Sequence, residues 1–288
     1  MTGRRRGTAL GPFAIGAFCS VLAAALLKRH PPGGIERWTR KNHGGRPVTL
    51  FEGPAYAVAA VAGALAGGAG APAAVAGLGG AALGALDDLA GDSSSKGLGG
   101  HLSAALRGEV TTGAIKIAGL SATGLLSAAM IDRSRERPGV MATVVGGAVI
   151  AGSANIANLL DLRPGRALKV VLLLAAPVAA GRRGTHLGMA TATAGAVAGA
   201  AIGALPDDLA GRSMLGDTGA NSAGALLGTA LVARTGPRGR LLALAVVTAL
   251  TLASEKISFT TVIESTPGLR ELDALGRPKW SSLTALAK

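Results

Sequence analysis

Residues 139–161 read GVMATVVGGAVIAGSANIANLLD. From Val140 to Leu160 no side chain is charged, and the run matches the roughly 20 residues an α-helix needs to cross hydrocarbon. Its last third nevertheless carries Asn155, Asn158 and Asp161 at steps of three. Such steps fall within about 120° of one helix face. The stripe reads either as amides that hydrogen-bond between helices or as the wall of a polar cavity, since polar groups facing lipid are costly.

The rest of the chain is built on the same plan. Its 288 residues are 49% hydrophobic and only 16% charged, against about 25% charged in an ordinary soluble domain. Mean hydropathy is +0.44. Apolar runs near 9–27, 54–70, 71–86, 113–131, 139–160, 167–181, 186–205, 218–234 and 240–262 predict about nine transmembrane helices. The division at Pro72 rests on Gly67, Gly68 and Gly70, which loosen the helix before a proline suited to starting the next one. The fold class expected is therefore all-α, a polytopic integral membrane helical bundle forming one domain over 1–288. The 45 glycines and the alanine excess suit close helix packing through small residues.

The net charge of +13 sits in short connections between apolar runs, where basic residues set orientation and meet anionic headgroups. No nucleic-acid partner is expected. Arg4, Arg5 and Arg6 before an apolar run resemble a signal peptide, but the many later spans favour a retained first helix. Cys19 is the single cysteine, so there is neither a disulfide framework nor a cysteine metal site; Phe18 before it disfavours lipoprotein processing. The first loop, about 28–53, holds Lys28, Arg29, Arg37, Arg40, Lys41 and Arg46 and marks the cytoplasmic face of a plasma membrane. Counting helices from there returns the loops at about 87–112, 161–166 and 206–217 to the same face. Every strong acidic site falls in these loops. The polar tail, 264–288, reads as solvent-exposed.

The acidic motifs admit two readings each. Asp87-Asp88 closes an apolar helix, as an interfacial boundary or as carboxylates able to bind Mg²⁺ or act as a base. Gly216-Asp217-Thr218-Gly219-Ala220-Asn221-Ser222 opens another, as an N-cap or as a glycine-flanked helix start that admits phosphate oxygens. Lys96, Lys116, Arg163, Arg166 and Arg212 are loop or snorkelling cations unless the acids form a site. His30, His43, His101 and His186 have no metal-ligand spacing. Walker loop, Ser-His-Asp and haem motifs are absent. The segment Gly84-Ala85-Leu86-Asp87-Asp88-Leu89-Ala90-Gly91 echoes Gly203-Ala204-Leu205-Pro206-Asp207-Asp208-Leu209-Ala210-Gly211, which low complexity explains as readily as duplication.

In order, Leu86-Asp87-Asp88-Leu89-Ala90-Gly91, Lys116 at the head of the next helix, Asn155-Ile156-Ala157-Asn158-Leu159-Leu160-Asp161 and Met214-Leu215-Gly216-Asp217-Thr218-Gly219 resemble the polyprenyl-phosphate phospho-sugar transferase superfamily. That superfamily contains the phospho-N-acetylmuramoyl-pentapeptide and undecaprenyl-phosphate N-acetylglucosamine-1-phosphate transferases. Arg40-Lys41-Asn42-His43-Gly44-Gly45-Arg46 is similar to its first loop, and the likeness covers roughly 35–262. The chain departs from it where Leu162-Arg163-Pro164-Gly165-Arg166 follows the asparagine motif, and Glu264 to Arg277 replaces a histidine-rich segment. A tenth helix is also missing.

The resemblance implies a divergent Mg²⁺-dependent enzyme of cell-envelope glycan synthesis. It would transfer a sugar-1-phosphate from a nucleotide-sugar, a UDP-sugar in the first place, to a polyprenyl phosphate. Asp217, with Asp88, would hold the metal. Asp87 or Asp88 would deprotonate or position the lipid phosphate, and Lys116 and Lys96 would offset phosphate charge. Asn155, Asn158 and Asp161 would shape the donor pocket, beside Thr218 and Gly219. A homodimer or a cell-envelope partner is compatible with it. The rival expectations are a catalytically degenerate polyprenyl-phosphate binder or scaffold and, third, a small transporter.

Overall fold

The computed structural model describes residues 8–42, 45–90, 107, 111–134, 139–180 and 185–278. Eleven α-helices occur among them: α1 Leu10–Arg29, α2 Glu52–Ala66, α3 Ala71–Ala90, α4 Thr112–Asp132, α5 Val140–Leu160, α6 Arg166–Ala179, α7 Thr185–Leu209, α8 Gly216–Arg234, α9 Pro237–Ser254, α10 Phe259–Ser265 and α11 Leu269–Ala274. A 3-10 turn, Ile35–Trp38, and two short strands, β1 Thr39–Lys41 and β2 Pro47–Thr49, fold the basic first loop. The strands pair antiparallel, with Arg40 opposite Val48.

Helix α8 is the axis of the bundle and touches α2, α3, α4, α5, α6 and α7. Alanine and glycine make this possible, because a small side chain lets two backbones meet. Gly195, Gly199 and Gly203, one turn apart on α7, lie against the carbonyls of Ala9, Phe13 and Ala17 on α1. A methyl group built on Gly199 would sit 2.0 Å from the Phe13 oxygen. On α8, Gly224 and Gly228 meet Ser153 and Ile150 of α5 in the same manner. Bulky side chains such as Phe18 and Leu22 on α1, and Leu242 and Leu252 on α9, point outward, as a lipid-facing surface requires.

By length and composition, four of the described helices can cross a membrane: α1, α4, α5 and residues Gly188–Leu209 of α7. A fifth arises if α9 and α10, bent by 94° at a short break, form one broken span. The count of nine is thereby corrected. Helices α2 and α6 have 15 and 14 residues, about 21–23 Å at 1.5 Å per residue against a hydrocarbon core of about 30 Å. Helices α3 and α8 are diluted by glycine and carry Asp87, Asp88 and Asp217 at their ends. Enclosed by other helices, α8 has no need of an apolar surface.

The described part of the polar tail is largely exposed, as expected, but it is tied down, with Asp273 buried. After the 94° bend, residues 259–278 fold back onto the α5–α6 connection. The Arg166 guanidinium donates to Asp273 Oδ1 and Oδ2 at 2.8 and 3.0 Å and to Thr260 Oγ1 at 2.8 Å. Arg277 donates to the Pro164 carbonyl at 2.7 Å, and Lys169 Nζ to the Asp273 carbonyl, also at 2.7 Å. Both members of the Arg166–Asp273 pair are buried.

A second buried pair fixes another corner of the bundle. Arg240, in the first turn of α9, donates to both oxygens of Asp132 at the end of α4, at 2.7 and 2.8 Å. It also reaches the Ala142 carbonyl of α5 at 2.8 Å.

Candidate functional site

The site is built where α3 ends on the start of α8. Gly80 and Gly84 allow the contact: a Cβ on Gly84 would lie 2.2 Å from the Asp217 carbonyl oxygen. A helix start leaves backbone N–H groups without intrahelical partners, and here another helix supplies the acceptors. Asp88 Oδ1 accepts from the Asp217 N–H at 3.0 Å. Its Oδ2 accepts from the Thr218 N–H at 2.9 Å and the Thr218 hydroxyl at 2.6 Å. Gly216, with φ +58°, turns the chain into α8 beside that carboxylate.

Asp87, the neighbouring acid, takes a different course. Its Oδ2 accepts from Lys116 Nζ at 3.0 Å, and the same ammonium contacts Asp217 Oδ2. Asn158, with its amide turned to satisfy both neighbours, donates to Asp217 Oδ1 at 2.8 Å and accepts from Lys116 Nζ at 3.2 Å. Groups from α3, α4, α5 and α8 thus converge around one ammonium. Beside it opens a cavity of about 170 Å³ lined by Leu83, Leu86, Asp87, Thr112, Ile115 and Lys116. Its walls are apolar and its polar end is the Asp87–Lys116 pair.

The first loop closes this end of the bundle. Met214 donates to the Thr49 carbonyl at 3.0 Å, so the hairpin is anchored to the segment entering α8. Arg40 then reaches the Asp88 carbonyl at 2.5 Å. Lys28 pairs with Asp207. The basic loop and the acids therefore share one end of the molecule.

Asp161 lies just beyond α5, within electrostatic reach of Asp208, Asp217 and Asp88. Burial, then Asp208 and Asp217, raise its carboxyl well above the usual range, and one of its oxygens has no hydrogen-bond partner among the described residues. Not every candidate joins the cluster. Asn155 sits one turn before Asn158, half-buried and outside these contacts. Gly219 packs against Gly53 of α2, where a Cβ would be 2.8 Å from its Cα. Lys96 lies outside the described residues.

Two further acids, Glu52 and Asp208, are not among the expected site residues but lie buried near them. Glu52 is 3% exposed and Asp208 2% exposed. Asp208 Oδ2 accepts from the N–H of Gly165, the residue before α6, at 3.1 Å. Neither oxygen of Glu52 has a hydrogen-bond partner among the described residues. Its carboxyl is pushed well up by burial, and then by Asp208, Asp161 and Asp207. The signal in the sequence was an isolated acid at the head of an apolar run.

Among the described residues no three His, Cys, Asp or Glu side chains are placed to hold a metal ion by themselves. Two carboxylates do meet around Lys116, with an amide oxygen between them. Oxygen donors of this number suit Mg²⁺, which commonly binds through one or two carboxylates, with substrate phosphates and waters completing its octahedron. Compared with protein-family models and with curated proteins, the chain matches none.

Proposed function

We propose that the chain transfers a sugar-1-phosphate from a nucleotide-sugar to a polyprenyl phosphate at the cytoplasmic face of the plasma membrane. The observation that carries this reading is the meeting of Asp87, Lys116, Asn158 and Asp217, from four helices, at the mouth of an apolar cavity. An amphiphile with a phosphate head and a hydrocarbon tail matches that combination. The order of the motifs in the sequence supports a divergent polyprenyl-phosphate phospho-sugar transferase, and a UDP-sugar is the donor to test first.

Phosphoryl transfer asks a protein mainly for positioning and charge stabilisation. Lys116 offsets the charge of the lipid phosphate. Asp87, at the cavity mouth, accepts that phosphate's proton and orients its attacking oxygen. Asp88 holds the first turn of α8 and so fixes Asp217, and Asn158 sets the direction of the Asp217 carboxylate. Asp88, expected to share the metal, gives both oxygens to the start of α8, so Mg²⁺ would be held by Asp217 with Asp87 and the Asn158 carbonyl and would neutralise the donor pyrophosphate. The lipid phosphate oxygen bonds to the sugar-bearing phosphorus of the donor, the bond from that phosphorus to the bridging oxygen breaks, and the nucleoside monophosphate leaves with that oxygen.

The deciding experiment measures nucleoside monophosphate release by purified protein with Mg²⁺, undecaprenyl phosphate and a panel of UDP-sugars. Release that depends on Mg²⁺ and disappears in Asp217→Ala is expected. Folded protein that releases none with any donor would instead be a lipid-binding or scaffold protein.

A further inference from the structure

Beyond the α3–α8 junction, the bundle contains a second polar crevice. It lies between α1, the start of α2 and the end of α7, and is lined by Ser20, Lys28, Phe51, Glu52, Gly203 and Asp207, among others. Its inner volume is about 10 Å³, close to what one water-sized probe occupies. The groups facing it divide sharply by whether they are satisfied. At the rim, Lys28 and Arg212 hold Asp207. Inside, both carboxylate oxygens of Glu52 and the hydroxyl oxygen of Ser20 have no hydrogen-bond partner among the described residues, although these residues are only 3% and 1% exposed.

A buried carboxylate without a donor is strongly disfavoured. Here the surroundings worsen the imbalance, because Asp208, Asp161 and Asp207 all act on Glu52 against Lys28. What is missing is one positive charge that fits a space the size of one water. We propose that this crevice binds a single small monovalent cation, Na⁺ in the first place, coordinated by the Glu52 carboxylate and the Ser20 hydroxyl. Mg²⁺ fits poorly, because it gives up its waters reluctantly and the space holds about one water-sized body. The site ties α1 to α2 and α7, so the occupied form is the more stable one by mass action. It is independent of the transferase reading and stands or falls without it.

Trp38, whose ring lies 5.7 Å from that of Phe51, is a nearby fluorescent reporter. The test titrates full-length protein in detergent with NaCl against choline chloride at constant ionic strength, following thermal unfolding and tryptophan emission. In parallel, ²³Na NMR of the same samples detects ion binding directly. A saturable rise in Tm of a few degrees is expected with Na⁺ and not with choline, accompanied by ²³Na line broadening. Both are lost in Glu52→Gln, and in Ser20→Ala the half-saturating concentration rises at least several-fold. Equal responses to Na⁺ and choline, or a response to pH alone, would overturn the proposal and leave Glu52 as a protonated carboxyl. Should Glu52→Gln fail to fold, the wild-type NMR titration and Ser20→Ala still decide the matter.

Discussion

Asp87 and Asp88 are neighbours in the chain with opposite fates. Asp88 accepts three hydrogen bonds from the start of α8, whereas Asp87 faces the cavity and Lys116. Neutralising each should therefore be felt in different measurements. Asp88→Asn is expected to destabilise the protein by about 0.5–2 kcal/mol, the scale of a lost helix cap, seen as a lower Tm. Asp87→Asn is expected to leave Tm nearly unchanged while nucleoside monophosphate release falls roughly 10²–10⁴-fold, the scale of a lost general base. Equal losses of Tm in both variants would refute this division. The sequence announced the pair but not the division, because which acid meets α8 depends on how α3 is rotated. That rotation is set by Gly77, Gly80 and Gly84, glycines that look alike in a chain holding 45 of them.

Between elements, glycine spacing carries the specificity that apolar side chains supply in soluble cores. Gly84→Ala would press a methyl group into the Asp217 carbonyl, at 2.2 Å in the undisturbed geometry. Relief requires α3 to move off α8, so a loss of about 1–3 kcal/mol is expected, together with loss of the Asp88 cap. Gly188→Ala on α7, where a Cβ meets nothing within 4 Å, is the matched control and should not lower Tm. The pair can be compared by thermal unfolding in detergent. The echoed Asp-Asp segments also acquire a meaning at this scale. In each, the first acid pairs with a lysine, Lys116 or Lys28. The second accepts a backbone N–H at the start of another helix, α8 or α6. Periodic apolar runs revealed where helices lie, since that signal is local. The number able to cross a membrane was overcounted, because a helix that packs inside protein and one that faces lipid share the same small-residue composition.

Across the whole molecule, the returning arm of residues 259–278 joins the chain's far end to the α5–α6 connection. Burial by itself would raise the Asp273 carboxyl, but Arg166 and Arg277 outweigh it and hold the group below the ordinary value of 3.8. A carboxyl depressed in the folded state contributes stability above its unfolded pKa and loses it as pH falls through the folded one. Arm docking is thus expected to be constant from neutral pH down to about 4 and to weaken below it. Hydrogen exchange in 259–278 measures this. In Asp273→Asn the arm should exchange faster at neutral pH as well. Nothing local in the sequence disclosed the docking, since Arg166 and Asp273 are polar residues 107 positions apart.

The Asp132–Arg240 pair has a consequence for how the protein is made. Asp132 leaves the ribosome long before Arg240, 108 residues later, so α4 is made well before the guanidinium that binds its last residue. Until α9 arrives, Asp132 can accept from the Thr143 hydroxyl of α5 but not yet from the Arg240 guanidinium. The Arg240 contacts that tie α9 to the end of α4 and to the Ala142 carbonyl are therefore made last, and only a chain that has reached α9 can close this corner of the bundle.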